Sequence, residues 1–166
     1  MALKTDIRGM SWQYPDFFEV GREQVRAFAR SIQSDDAASF DEAPAAELGY
    51  GTLVAPITFV SIFAKLLQDD FFRNVDLGME TMQIVQVDQK FVYRKPICVG
   101  DKLSARMDIH SVNQRFGADI VVTKNLCWNQ NDETVLEAYT TVMGHEGDNS
   151  IQLKWDKETG QVVRTG

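Results

Sequence analysis

At 166 residues, with 44% apolar and 25% charged residues, the chain has the size and composition of one globular domain that can bury a core without disulfides or metals. Its formal net charge of −7 argues against nucleic acid or an anionic membrane as partner, since both demand a basic face. No run is long and uncharged enough to span a bilayer, so no membrane insertion is expected.

Residues Met1–Arg8 lack the apolar core of a secretory signal, and Cys98 and Cys127 stand far apart. They read as reduced thiols of a cytoplasmic protein; neither has a neighbouring base or a Cys-x-x-Cys partner that would make it a nucleophile. Ile7 to Gly21 mixes Trp12, Tyr14, Phe17 and Phe18 with Pro15, which predicts an irregular or short-strand entry packed on the domain. Residues 22–33 predict an amphipathic helix with Val25, Phe28, Ala29 and Ile32 as its buried stripe.

Ser34 to Gly51 is a long connection with little regular pattern beyond a helical turn around Ala43–Leu48, and such stretches are often functional. The segment 55–72 follows at once. Pro56 suits a first helical turn, and Val60, Phe63, Ala64, Leu67 and Phe71 fall on one face. Phe59, Ile62 and Leu66 make a second face apolar, so the helix belongs in the middle of the domain. Its start, with unpaired N–H groups and a positive dipole end, lies beside the long connection, an arrangement suited to acyl or thioester chemistry.

After Gly78 the apolar period changes from helical to two. Val85, Val87, Gln89, Phe91 and Tyr93 predict one inner face, and Leu103, Ala105, Met107 and Ile109 a second. Ile120, Val122, Leu126 and Trp128 predict a third, then Leu136, Ala138, Thr140 and Val142 a fourth after the Asn129–Asp132 turn. Four sequential strands, each apolar on one face, point to an antiparallel sheet. A small hairpin is expected from Ile151–Trp155 and Gly160–Val163. The fold class is therefore α+β, an antiparallel sheet wrapped around a long central helix, with residues 1–145 as the domain and 146–166 as a C-terminal extension.

The run Asp35-Asp36-Ala37-Ala38-Ser39-Phe40, followed by Val54-Ala55-Pro56, resembles a degraded form of the (R)-specific hydratase motif. That motif reads Gly-Asp-x-Asn-Pro-x-His, with a downstream Val-Ala-His-Gly or Val-Ala-Pro-Gly. The segments Met1–Met10, Gly78–Gln89, Ala105–Val112, Arg115–Leu126 and Leu153–Val163 are similar to the HadC-type subunits of mycobacterial (3R)-hydroxyacyl-ACP dehydratases, MaoC-like proteins of the hot-dog fold. Position by position, Asp35 keeps the motif aspartate and Ala37 and Ala38 replace Asn-Pro. Phe40 replaces the histidine, and Ile57 replaces the glycine whose N–H faces the thioester carbonyl.

Dehydration needs a base for the α-proton and an acid for the departing 3-hydroxyl, and Asp35 alone does not cover both. His110 and His145 are the only histidines; both read as surface residues remote from the Asp35 loop. The resemblance thus implies a non-catalytic, acyl-chain-binding subunit that needs neither metal nor cofactor, with Phe40, Ile57, Phe59, Phe63 and Leu67 as candidate lining of an apolar slot. It implies a catalytic hot-dog partner that supplies Asp and His. The substrate would be a 3-hydroxyacyl chain on acyl carrier protein, in the type II fatty acid elongation that leads to mycolic acids. Residue by residue, plain core packing is the competing reading of the five apolar positions. A self-sufficient homodimeric (R)-specific enoyl hydratase and a non-enzymatic acyl-binding hot-dog protein are the alternatives. A thioesterase would want a carboxylate in Pro56–Phe59, which has none.

Overall fold

The computed structural model describes residues 3, 5–77, 82–115, 117–146, 152–156 and 161–165, with side chains omitted at 82, 83, 145, 146 and throughout the two C-terminal segments. Two short strands, β1 (Ser11–Gln13) and β2 (Phe18–Glu19), lead into helix α1 (Arg22–Ser31). A 3-10 turn (Ala37–Ser39) and α2 (Glu42–Glu47) precede the main helix α3 (Ser61–Asn74). Four long strands follow: β3 (Met82–Tyr93), β4 (Lys102–Arg115), β5 (Ala118–Trp128) and β6 (Thr134–Glu146). They lie in the order β1-β4-β5-β6-β3, all neighbours antiparallel, with β2 also paired to β4. The expected α+β hot-dog arrangement is the one found. β7 (Gln152–Asp156) and β8 (Gln161–Thr165) pair as the expected C-terminal hairpin, whose turn at 157–160 lies outside the described residues, as do Gly78–Thr81.

In α1, Val25 and Ala29 are buried as the periodicity requires, whereas Ile32 falls at the C-cap and is exposed. The Gly21 N–H donates to Gln24 Oε1 at 2.9 Å and closes the N-terminus. The central helix starts five residues later than Pro56 suggests. Phe59, Ser61 and Ile62 donate to the carbonyls three residues back, so Pro56–Val60 forms tight turns, and the first helical bond runs from Ala64 to Val60. Phe63, Leu67 and Phe71, four apart, are the helix's buried ridge. Trp12 Nε1 donates to Asp70 Oδ2 at 2.9 Å and ties β1 to that helix.

The apolar faces of β4 and β6 are as expected: Leu103, Ala105, Met107 and Ile109 are buried, as are Leu136, Ala138 and Thr140. β5 is reversed relative to the sequence expectation. Val121, Thr123 and Cys127 are buried and Ile120, Val122, Leu126 and Trp128 are only half-buried, because the inward row carries the polar Thr123 and Asn125 and hides its own pattern. β3 is half reversed. A bulge between Gln86 and Asp88 inserts Val87 as an extra residue, so alternation slips there. Ile84 and Gln86 face the helix before it, and Gln89 and Phe91 after it. Val85 and Val87 are consequently exposed at 50% and 51%.

Candidate functional site

The connection between α1 and α3 is held by specific bonds despite its irregular sequence. Asp36, not Asp35, caps the 3-10 turn, its Oδ1 accepting from the Ala38 N–H at 3.1 Å. Asp35 itself is exposed. Ser39 is fully buried, and its Oγ donates to the Val54 carbonyl at 2.8 Å while Val54 N–H donates to the Ala38 carbonyl at 3.0 Å. Arg26 donates Nε and Nη2 to the Phe40 carbonyl at 3.0 and 2.8 Å, and Arg30 sits 6.0 Å from the centre of the Phe40 ring. Phe40 is thus a half-buried aromatic ring beside a guanidinium.

Between α3 and the inner face of β3, β5 and β6 lies a groove of about 760 Å³. It begins at Thr58 and Ser61, at the first turn of α3, and runs past Ala64 and Leu67 to Phe72. The opposite wall carries Phe91, Cys127, Leu136 and Ala138. Two of its polar groups are tied together: Thr140 Oγ1 donates to Gln89 Oε1 at 2.9 Å, and Gln89 Nε2 donates to the Tyr139 carbonyl at 3.1 Å. Lys65 and Asp69 at its rim pair at 2.7 Å, an exposed contact worth at most about 1 kcal/mol.

Of the five apolar candidates, Phe63 and Leu67 border the groove, and both are also core. The Phe63 ring stacks on Phe18 at 5.4 Å and meets Tyr14 edge-on at 5.4 Å. Phe59 is wholly buried against Phe18 and Phe28. Ile57 projects outward, 73% exposed, and its carbonyl accepts from the Tyr93 hydroxyl. Phe40 and Ile57 are not among the described residues that border the groove. Gln89 and Thr140, expected on inner strand faces, border it too, whereas Gln68 and Phe72 of α3 and Asn125 of β5 escaped the sequence reading, the first two lying off the helix stripe and Asn125 on the face of β5 expected to point outward.

The titratable groups described along the groove are Lys65, Asp69 and Cys127. Burial, with the Asp101 carboxylate adding to it, pushes the Cys127 thiol up to about 12, so it stays protonated and non-nucleophilic. Burial likewise pushes the Tyr93 phenol up to about 12, where it serves as a hydrogen-bond donor. His110 is exposed on the opposite face of the sheet, edge-on to Tyr139 at 6.1 Å. His145 pairs with Gln83 in the β3–β6 ladder, and its side chain lies outside the described residues. Among the described residues no acid–base pair converges on the groove, and no cluster fit for a metal ion is present. No helix among them is long and apolar enough to cross a membrane.

Comparison with known proteins agrees with this architecture. A UPF0336 protein of Mycobacterium leprae is 71% identical over 165 residues, covering 99% of each chain. A solved chain of the C-terminally truncated HadBC (3R)-hydroxyacyl-ACP dehydratase complex of Mycobacterium tuberculosis is 65% identical, with a TM-score of 0.80, and covers 85% of this chain and 99% of its own. A MaoC-like dehydratase is 29% identical with a TM-score of 0.79, covering 96% of this chain and 52% of its own. Residues 8–138 match the model of the FAS1-like, dehydratase domain region. The chain belongs to the FAS1-like dehydratase domain family.

Proposed function

We propose that this chain is the acyl-binding, non-catalytic subunit of a heterodimeric dehydratase that converts (3R)-3-hydroxyacyl thioesters on acyl carrier protein to trans-2-enoyl thioesters. The observation that carries this reading is the groove along α3: about 760 Å³, walled by Phe63, Leu67, Phe91 and Leu136, its described titratable groups being the Lys65–Asp69 ion pair at the rim and the protonated Cys127 thiol. Its likeness to a chain of the HadBC complex supports a two-subunit enzyme, and Phe40 at the motif's histidine position supports a partner as the source of the acid and base. The groove opens at the first turn of α3, whose positive dipole end favours a polarised carbonyl. An acyl chain would thus enter at its thioester end and lay its hydrocarbon along Ala64 and Leu67 toward Phe72.

The test is to assay this chain alone, a catalytic hot-dog subunit alone, and both together on 3-hydroxyacyl and enoyl thioesters. The expected result is negligible turnover by this chain and activity that saturates at one partner per chain. Turnover that tracks with the pure chain through purification would make it a self-sufficient hydratase. Acyl binding without any effect on a partner's activity would make it a non-enzymatic acyl-binding protein.

A further inference from the structure

Beyond the groove lies a second cavity of about 200 Å³, between the last turn of α3 and the inner face of the sheet. Gln68, Phe72, Gln86 and Thr140 border both spaces. The four therefore form a collar between them. Apart from the collar, the end cavity is walled chiefly by apolar side chains such as Phe71, Leu77, Met107 and Val142. An apolar cavity of about 150 Å³ suffices for a benzene-sized group, so the space alone could hold the end of a hydrocarbon chain.

Its polar groups work against that. The collar presents two primary amides, Gln68 and Gln86, which a hydrocarbon passing between them would strip of water. The Thr140 hydroxyl is committed to Gln89 and offers no compensation. Behind the collar stands Asp119, only 6% exposed. Its Oδ1 accepts from Gln114 Nε2 at 3.3 Å, while its buried Oδ2 has no hydrogen-bond partner. A methyl terminus pushed against that oxygen would leave it no prospect of one.

We propose that the amide collar of Gln68 and Gln86, backed by the Asp119 carboxyl group, is a polar stop that sets the longest acyl chain the groove accepts. The proposal rests on the acyl-binding reading of the groove and adds to it where the chain must end. Hydrocarbon stacks along α3 as far as Phe72. Further methylenes either fold back or force an unmet polar group into apolar contact.

The experiment uses the complex with its catalytic partner and a series of (3R)-3-hydroxyacyl thioesters of increasing length. Three variants are compared: Gln86→Leu, the double Gln86→Leu/Asp119→Val, and Ala64→Phe, which fills the middle of the groove. Gln86 is exposed in the free chain, so its replacement leaves the fold intact, as a melting curve will register. Gln86→Leu should raise kcat/KM for chains just beyond the wild-type limit by at least about tenfold relative to shorter ones, the scale of a methylene's contact in an apolar pocket. The double variant should move the limit further, while Ala64→Phe should abolish turnover of all but the shortest chains. If Ala64→Phe changes nothing, the groove holds no acyl chain and both readings fall. If Ala64→Phe blocks long chains but Gln86→Leu leaves the limit in place, the acyl groove stands and the polar stop is wrong.

Discussion

Phe63 belongs at once to the groove wall and to the core. It is 2% exposed and lies between Phe18 and Tyr14, so its removal opens a cavity within an aromatic stack. Phe63→Ala should cost about 3–5 kcal/mol and lower activity on every chain length alike, which a melting curve and a chain-length profile on one preparation would establish. A changed profile with an unchanged melting temperature would show that the ring faces substrate more than core. Two neighbouring groups make a pH prediction. The Cys127 thiol is raised from 9.0 to about 12 by burial, and the Tyr93 phenol from 10.0 to about 12. Above pH 9 the unfolded chain releases a thiol proton that the folded chain keeps, so stability present below pH 9 is lost as pH rises toward 12. The limiting slope is about 1.4 kcal/mol per pH unit for the thiol. Denaturant titrations across that range should show the fall, and Cys127→Val should remove the part that begins near pH 9 while leaving the Tyr93 part above pH 10. A wild-type midpoint that stays level above pH 9 would contradict the burial of the thiol.

At the scale of elements, legibility followed how well each face kept its period. β4 was readable because Leu103 to Ile109 alternate without interruption, and β6 because Leu136, Ala138 and Val142 keep the period around an inward Thr140. β5 was not, since apolar residues occupy both faces and the inward row includes Thr123 and Asn125. The Val87 bulge reverses the first half of β3, and a one-residue insertion leaves no trace in composition. The helix core at Phe63, Leu67 and Phe71 was legible for the same reason as β4, but the start was misplaced because Ile57 and Thr58, both β-branched, follow Pro56 in turns. β3 has consequences beyond its register. It lies at the end of the strand order, with Ile84, Val85 and Val87 exposed, which is an edge that natural sheets cover or pair. Adding a saturating hot-dog partner should slow hydrogen exchange at the amides of 84–92 relative to the free chain. Unchanged exchange there, in a complex shown to be formed, would move the interface elsewhere.

For the molecule as a whole, the groove and the β3 edge together leave much apolar surface open on the isolated chain, including Leu66 and Phe72 of α3. The proposed chemistry rests in the sequence only on a resemblance that sets Phe40 against a motif histidine, whereas the groove depends on side chains from α3, β3, β5 and β6 that meet only in the fold. A chain so built should draw part of its apparent stability from association. A partner at about a hundred times its dissociation constant adds about 2.7 kcal/mol by mass action alone. For a chain of this size each kcal/mol raises the melting temperature by about 2–4 °C, so a rise of about 5–10 °C is expected. The shift should grow with the logarithm of partner concentration once saturation is passed, and Val85→Lys, which places a charge on the exposed face of β3, should reduce it without altering the melting of the free chain. Salt should change it little, because the surface to be covered at β3 is apolar. A melting shift that Val85→Lys leaves untouched would mean that the partner binds without covering the β3 edge. Pairing of the partner at the β3 edge would then have to be abandoned for an interface elsewhere.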